Sequence, residues 1–225
     1  MSKVVMETTS SHEGHASATP RGDVTYRALT VSHPTPVQRS AIDRYLDELD
    51  RWNRRLNLTT VPREQAWTRH VEESLRLLAV ADLPDASRCA DLGSGGGVPG
   101  VVVAIVRPDL AITLIEADRR KAGFLVHVCG LLELGHVTVA ARRAEEMATD
   151  PAHREMYDAV LSRAAAPALQ LCGLALPLLQ PAGVLWALVS DHDAQAATSA
   201  LASDPLVVAD HAATGILAVR KRVRG

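Results

Sequence analysis

From residue 88 onward, short apolar runs of strand length alternate with stretches of helical periodicity, and that alternation admits few folds. The runs "RCADL" (88–92), "AITLIE" (111–116), "HVTVAA" (136–141), "YDAVLSRA" (157–164) and "GVLWALVS" (183–190) read as strands. Helices are expected at 100–106, 119–134, 168–179 and 193–202. "LVVADH" (206–211) and "GILAVRK" (215–221) close the chain as an antiparallel pair. Strands that are apolar along their whole length are buried on both faces, which is the signature of a parallel sheet covered by helices. The expected fold is therefore α/β, a doubly wound Rossmann-like sheet.

Two helices are expected ahead of that sheet. In 37–58, Val37, Ile42, Tyr45, Leu46, Leu49, Trp52, Leu56 and Leu58 recur near a period of 3.6, with Thr35 or Ser32 as the cap. The second helix covers 64–80, with Trp67, Val71, Leu75 and Leu78 turned inward, and "LPDAS" (83–87) is a loop. Residues 1–36, rich in Ser, Thr, His and Gly, read as a disordered tail whose His12 and His15 are solvated rather than metal-bound. The expected organisation is thus a tail (1–36), a helical extension (37–82) and a sheet domain (83–225). Aromatic residues are only 3% of the chain, so the core must rest on Val, Leu, Ala and Ile.

The net charge of -2 excludes a global field that would draw nucleic acid, and leaves that work to local basic clusters. Cys89, Cys129 and Cys172 are odd in number and form no CxxC pair, which argues against disulfides and zinc and for a reducing compartment. The opening residues lack the apolar stretch of a signal peptide. Neither 98–106 nor the interrupted 174–189 is a membrane span. A cytoplasmic protein with no membrane partner and no metal is expected.

Chemistry concentrates in "CADLGSGGGVPG" (89–100), a glycine-rich turn between the first strand and a helix. Gly93, Gly95 and Gly97 permit a sharp turn and close approach of a ligand to the backbone. The stretch also contains Gly95-x-Gly97-x-x-Gly100, the dinucleotide fingerprint, so glycines alone leave the ligand open. A P-loop is excluded, because no Gly-Lys-Ser/Thr follows. Asp91, directly before the glycines, would repel a pyrophosphate but can meet the ammonium of a methionine moiety. Glu116, ending the second strand, can accept hydrogen bonds from ribose hydroxyls of either cofactor. No Tyr-x-x-x-Lys of a dehydrogenase is present. These residues favour S-adenosyl-L-methionine over NAD.

With "RWNRRLNLT" (51–59), "RHVEESL" (69–75), "DLGSGGGVPG" (91–100), "RRAEE" (142–146) and "LSRA" (161–164) in order, the chain resembles the glucose-inhibited division protein B family. These are bacterial methyltransferases that modify guanine N7 in small-subunit ribosomal RNA. The resemblance implies a class I S-adenosylmethionine-dependent methyltransferase sheet with an N-terminal helical extension. It implies cofactor contacts at Gly93 and Val98, at Ala144 and Glu145 beside the adenine, and at Arg163, with Asp91, Gly95 and Gly97 in the same pocket. It also implies that Arg143 and Arg163 face the RNA, and that the partner is ribosomal RNA or the small subunit, met by a monomer. The chain departs from the family pattern at Ala165 and Ala166, where an aromatic is usual, and at Val189 and Ser190, where Lys-Gly is usual. No arginine stands in the C-terminal hairpin "ADHAATGILAV" (209–219). Those departures leave open a relative that methylates a small molecule, or a binding protein without turnover.

Guanine N7 carries a lone pair and no proton, so methyl transfer to it needs orientation rather than a general base. Phosphate contacts would come from basic clusters at Arg51, Arg54, Arg55, Arg63 and Arg69, at Arg119 to Lys121, at Arg142 and Arg143, and at Arg220 to Arg224. His70 reads as a satisfied structural histidine. Asn53 and Asn57 read as hydrogen-bonding the join between the two units. For Arg163, a positioning role and a structural ion pair weigh equally.

Overall fold

The structure is a computed structural model that describes residues 33–223 except Asp82 and Ala164. The expected tail therefore lies, up to residue 32, outside the described residues, as do His12, His15 and Arg224. Helix α1 (Pro36–Leu56) starts at a capping box: Gln38 N–H donates to Thr35 Oγ1 at 3.2 Å and Thr35 N–H donates to Gln38 Oε1 at 2.9 Å. Its buried stripe holds Ile42, Tyr45, Leu46 and Leu49. Val37, placed on that stripe by periodicity, is 80% exposed. At this first turn the helix faces backbone carbonyls rather than side chains, and Gln38 Nε2 donates to Ile105 O and Val106 O.

The single helix expected over 64–80 is three windings. A 3-10 turn (Arg63–Gln65) leads to a π-wound segment (Trp67–Glu72), and regular α2 (Glu73–Val80) follows. Apolar periodicity cannot distinguish these windings over so short a span, and π-turns are frequent at functional sites.

Seven strands form one sheet in the order β3-β2-β1-β4-β5-β7-β6. Strands β1 (Arg88–Leu92), β2 (Ala111–Ile115), β3 (Val137–Ala140), β4 (Tyr157–Arg163) and β5 (Leu179–Leu188) pair in parallel. Strands β6 (Val207–Ala213) and β7 (Ile216–Lys221) form the antiparallel pair, with β7 against β5. Helices α3 (Gly100–Val106) and α4 (Arg119–Leu131) cover one face with α1, and their buried residues join those of α1 in one cluster. Helices α5 (Ala144–Thr149), α6 (Ala168–Ala175) and α7 (Asp191–Leu201) contribute to a second cluster on the other face. Helix α5 was not expected, since six residues are too few to show a period. The helix expected over 168–179 ends at Ala175, and the last part of that apolar run turns into β5. This is the doubly wound sheet expected from the sequence.

The chain runs outward from β1 to β3 and returns to β4 on the other side of β1. The crevice at that reversal, beyond the carboxyl ends of β1 and β4, is where open α/β sheets bind ligands.

Candidate active site

The glycine turn is fixed at the end of β1 by its own backbone and by three neighbours. Gly93 N–H and Ser94 N–H both donate to Ile115 O, at 3.0 and 3.1 Å. Gly93, Gly95 and Gly97 have φ of +71°, +53° and +93°, a region that side chains strain to enter. Glu116 ties two loops together: its Oε2 accepts from Gly95 N–H and its Oε1 from Asp118 N–H, each at 2.8 Å. From the far side, buried Tyr45 of α1 donates its hydroxyl to Gly96 O at 2.7 Å. The sequence offered Tyr45 only as an apolar stripe residue, because a hydroxyl's partner 51 positions away leaves no local signal.

Asp91 lies elsewhere than expected. It is 0% exposed, beneath the turn, where its Oδ2 accepts from Gly100 N–H at 3.2 Å and its Oδ1 has no partner among the described residues. Burial pushes its carboxyl up to about 7. Direct contact between this side chain and a ligand's ammonium is thus corrected to support from below. A Cβ on Gly100 would stand 2.5 Å from Asp91 Oδ2, so the absence of a side chain at Gly100 makes room for this carboxylate. Gly97 also faces inward, toward Val101 and Leu125, rather than into a cavity.

The remaining expected residues converge. A cleft of about 400 Å³ is lined by Gly93, Gly95, Glu116, Arg143, Ala144, Glu145 and Arg163, together with Lys121 and Ala165. Val98 lines a smaller cavity of about 90 Å³ below it, with His70, Thr59 and Arg163. The departure at Ala165 is part of the cleft wall: a Cβ on Gly93 would meet Ala165 Cβ at 2.5 Å.

Arg163, at the end of β4, also lines a third and larger cleft of about 650 Å³. Its Nη1 donates to Arg69 O at 2.7 Å and to His70 Nδ1 at 2.8 Å, and lies 3.6 Å from Glu73 Oε2. An arginine only donates, so His70 Nδ1 is the acceptor and Nε2 carries the hydrogen, 3.1 Å from Thr59 Oγ1. Burial, with Arg163 beside it, pulls His70 down to about 4, so the ring is neutral. His70 is the satisfied histidine expected, and its bond partner is the arginine of the site. The π-wound segment supplies two of the three groups that hold Arg163.

The large cleft runs between the 57–61 loop, α2 and the end of β5. Asn57, in the left-handed conformation, ends α1, and Asn53 brackets Thr59 through both its amide oxygen and nitrogen. This pair shapes the loop locally rather than bridging the two units, a correction to the reading from sequence. Val189 and Ser190 line the same cleft. Ser190 Oγ accepts from Asp193 N–H and caps α7. Arg76 of α2 brings its guanidinium within 3.6 Å of where a Gly215 Cβ would be. Helix α2 thus delivers an arginine to the turn between β6 and β7.

The basic clusters separate into two kinds. Arg220 donates to Ala182 O, Arg222 to Val207 O, and Lys221 to Leu176 O, Leu179 O and Glu155. These side chains tie the last strand down. Arg51, Arg54, Arg63, Arg120 and Arg142 pair with neighbouring carboxylates. Lys121, Arg143 and Arg163 reach the smaller cleft, which Arg142 also lines while paired with Asp150, and Arg69, Arg76 and Arg163 reach the larger. The three cysteines are buried, and burial pushes the thiols of Cys129 and Cys172 up to about 11, so none is a ready nucleophile. Among the described residues no helix is long and apolar enough to cross a membrane.

A family model described as rRNA small subunit methyltransferase G matches residues 38–208. The ribosomal RNA small subunit methyltransferase G of Roseiflexus castenholzii is 45% identical over 142 residues, 62% of this chain and 60% of that one. Its namesake from Polynucleobacter asymbioticus is 39% identical over 158 residues, 68% of this chain and 70% of that one. The chain therefore matches about 60% of the length of the Roseiflexus relative. Among solved structures, one assigned as an S-adenosyl-L-methionine-dependent methyltransferase from Methanococcus maripaludis aligns with a TM-score of 0.58 at 10% identity, covering 81% of this chain and 94% of that one. A methyltransferase from Geobacter sulfurreducens aligns with a TM-score of 0.53 at 11% identity, covering 80% and 89%. At such identities the likeness concerns the fold, which is the Rossmann-like class I methyltransferase fold.

Proposed function

The chain belongs to the rRNA small subunit methyltransferase G family, and from that premise we propose that it binds S-adenosyl-L-methionine in the 400 Å³ cleft and methylates a guanine N7 of small-subunit ribosomal RNA. The observation that carries this reading is the convergence of Gly93, Gly95, Glu116, Ala144 and Glu145 on one cleft at the chain reversal, joined through Arg163 to a larger basic cleft. The residues fit that cofactor. A Cβ on Gly95 would find nothing closer than Gly93 O at 3.8 Å, so the turn leaves room there, and the Glu116 carboxylate retains lone pairs beyond the two it gives to backbone N–H groups. When bound, the cofactor would supply an electrophilic methyl group on a sulfonium.

The chain's part in the chemistry is positioning. Glu116 and Tyr45 hold the turn, and neutral His70 holds Arg163 between the clefts. Guanine N7 needs no proton removed, so no residue has to act as a base, and the gain comes from proximity and alignment. Buried, protonated cysteines fit the same direct transfer, since a covalent route through a thiolate would need a reactive one. The three arginines lining the larger cleft favour a polyanionic acceptor over a small neutral one. The proposed partner is the small subunit or its RNA, met by a monomer in the cytoplasm.

Calorimetry with S-adenosylhomocysteine and NAD side by side tests the cofactor, and only the former should bind. Labelled methyl transfer to unmodified small ribosomal subunits tests the acceptor. Tight S-adenosylhomocysteine binding with no incorporation would sink the RNA reading and leave a small-molecule acceptor or a protein without turnover.

A further inference from the structure

We propose that the 650 Å³ cleft receives the acceptor base, and that Arg163 and Glu73 together read the Watson–Crick edge of guanine there. The proposal rests on the methyltransferase reading above and adds the residues that choose the base.

Glu73 is the one carboxylate among the residues lining this cleft, beside Arg69, Arg76 and Arg163. It opens α2, directly after the π-wound segment. Its Oε1 is 3.1 Å from Arg69 Nε and its Oε2 is 3.6 Å from Arg163 Nη1, with about a quarter of the side chain open to the cleft (26%). These contacts hold the carboxylate in place and leave both oxygens further lone pairs. Arg163 makes its contacts through Nη1, so among the described residues the hydrogens on Nε and Nη2 remain for a ligand. A carboxylate facing a cleft meant only for phosphates would repel its ligand, so it needs a partner rich in donors.

Along this wall the order is two acceptors on Glu73, then donors on Arg163, then the cofactor cleft that Arg163 also lines. Around guanine the order is the N2 amine, the N1 hydrogen, the O6 acceptor and then N7. The two sequences match atom for atom: Glu73 takes N2–H and N1–H, Arg163 gives a hydrogen to O6, and N7 falls on the side of the methyl donor. Recognition of an unstacked base by its Watson–Crick edge is the usual mode for RNA, and a bidentate carboxylate bond is charge-assisted. Adenine offers one donor and then an acceptor at N1. Cytosine offers one donor and then an acceptor at N3. Uracil offers a single N3 hydrogen between two acceptors. Each would set a lone pair against a Glu73 oxygen. The cleft would thus select guanine before any methyl moves.

Guanosine, inosine and adenosine 5′-monophosphates, titrated into the full chain saturated with S-adenosylhomocysteine, test this. Inosine lacks only the N2 amine. The wild type should bind the guanosine nucleotide about tenfold tighter than the inosine one, the value of a charge-assisted hydrogen bond, and the adenosine one more weakly still. In Glu73→Gln the guanosine-to-inosine ratio should fall toward one, because the glutamine amide offers a single acceptor. A merely structural role for Glu73 would weaken both nucleotides together and leave the ratio unchanged. Equal binding of the two nucleotides by the wild type, a preserved ratio in Glu73→Gln, or no saturable nucleotide binding would each overturn the proposal. The wild-type series needs no variant to fold. Failure of S-adenosylhomocysteine to bind would instead remove the methyltransferase reading itself, so the two failures are told apart.

Discussion

At the scale of single residues, two buried titratable groups hold the site and respond to pH in opposite directions. His70 has its folded value lowered to about 4 by burial and by Arg163. The unfolded chain takes up that proton near 6.5. Its contribution to stability is therefore present above about 6.5 and is lost as pH falls toward 4 and below. Asp91 has its folded value raised to about 7. Its contribution is present at low pH and is lost as pH rises from the ordinary carboxylate range through 7. Denaturant titration of the wild type and of His70→Asn across pH 4–8 separates them. The variant should be less stable by about 2 kcal/mol at pH 8, from lost packing and hydrogen bonding, and that gap should narrow toward pH 4. A gap independent of pH would mean that burial and Arg163 do not hold His70 neutral. The sequence identified His70 as structural and Arg163 as undecided. It could not join them, because their contact spans 93 positions and is made only when the π-wound segment meets the end of β4.

At the scale of elements, the glycine turn shows which positions backbone shape dictates and which packing dictates. A Cβ on Gly100 would stand 2.4 Å from Leu114 Cδ2 and 2.5 Å from Asp91 Oδ2, both buried. A Cβ on Gly95 would find nothing closer than Gly93 O at 3.8 Å, although its φ is +53°. Gly100→Ala should therefore cost about 3 kcal/mol through overpacking, against about 1 kcal/mol for Gly95→Ala through strain. Thermal melts of the two variants decide this, and equal losses would contradict it. The turn itself was legible, since glycines after a buried strand and before a helix have a specific context. The fate of the 168–179 run was not. "LCGLALPLL" (171–179) carries no polar side chain to mark a break, and only the sheet vacancy beside β4 makes its end a strand. The second helix likewise hid its π-winding, because an extra residue in one turn leaves the apolar spacing nearly intact.

At the scale of the whole molecule, the helical extension and the sheet share one interior. Ile42, Tyr45, Leu46 and Leu49 lie in the same buried cluster as Val101, Phe124 and Leu161. The fragment 83–225 expressed alone should lose cooperative unfolding, as judged by calorimetry, because one face of its sheet and helices would be left in water. A sharp, reversible transition in that fragment would instead make the extension a separate unit. Electrostatics divide the surface in the same global way. Arg143→Ala should lower the salt dependence of small-subunit binding by about one unit of slope, and Arg222→Ala should leave it unchanged, since Arg222 is engaged with Val207 O. An equal effect from both would erase the distinction between site and structural arginines. The sequence by itself determined the alternating sheet and the glycine turn, because strand burial and turn geometry are local properties, while Ala144, Glu145 and Arg163 at its mouth were named through the family resemblance. Only the tertiary structure decided that Asp91 supports the turn from beneath, that the C-terminal basic run secures β7, and that Glu73, His70 and Arg163 meet at one point. Those outcomes depend on contacts between segments far apart in the chain, and no local pattern encodes which distant partner a buried polar group will find.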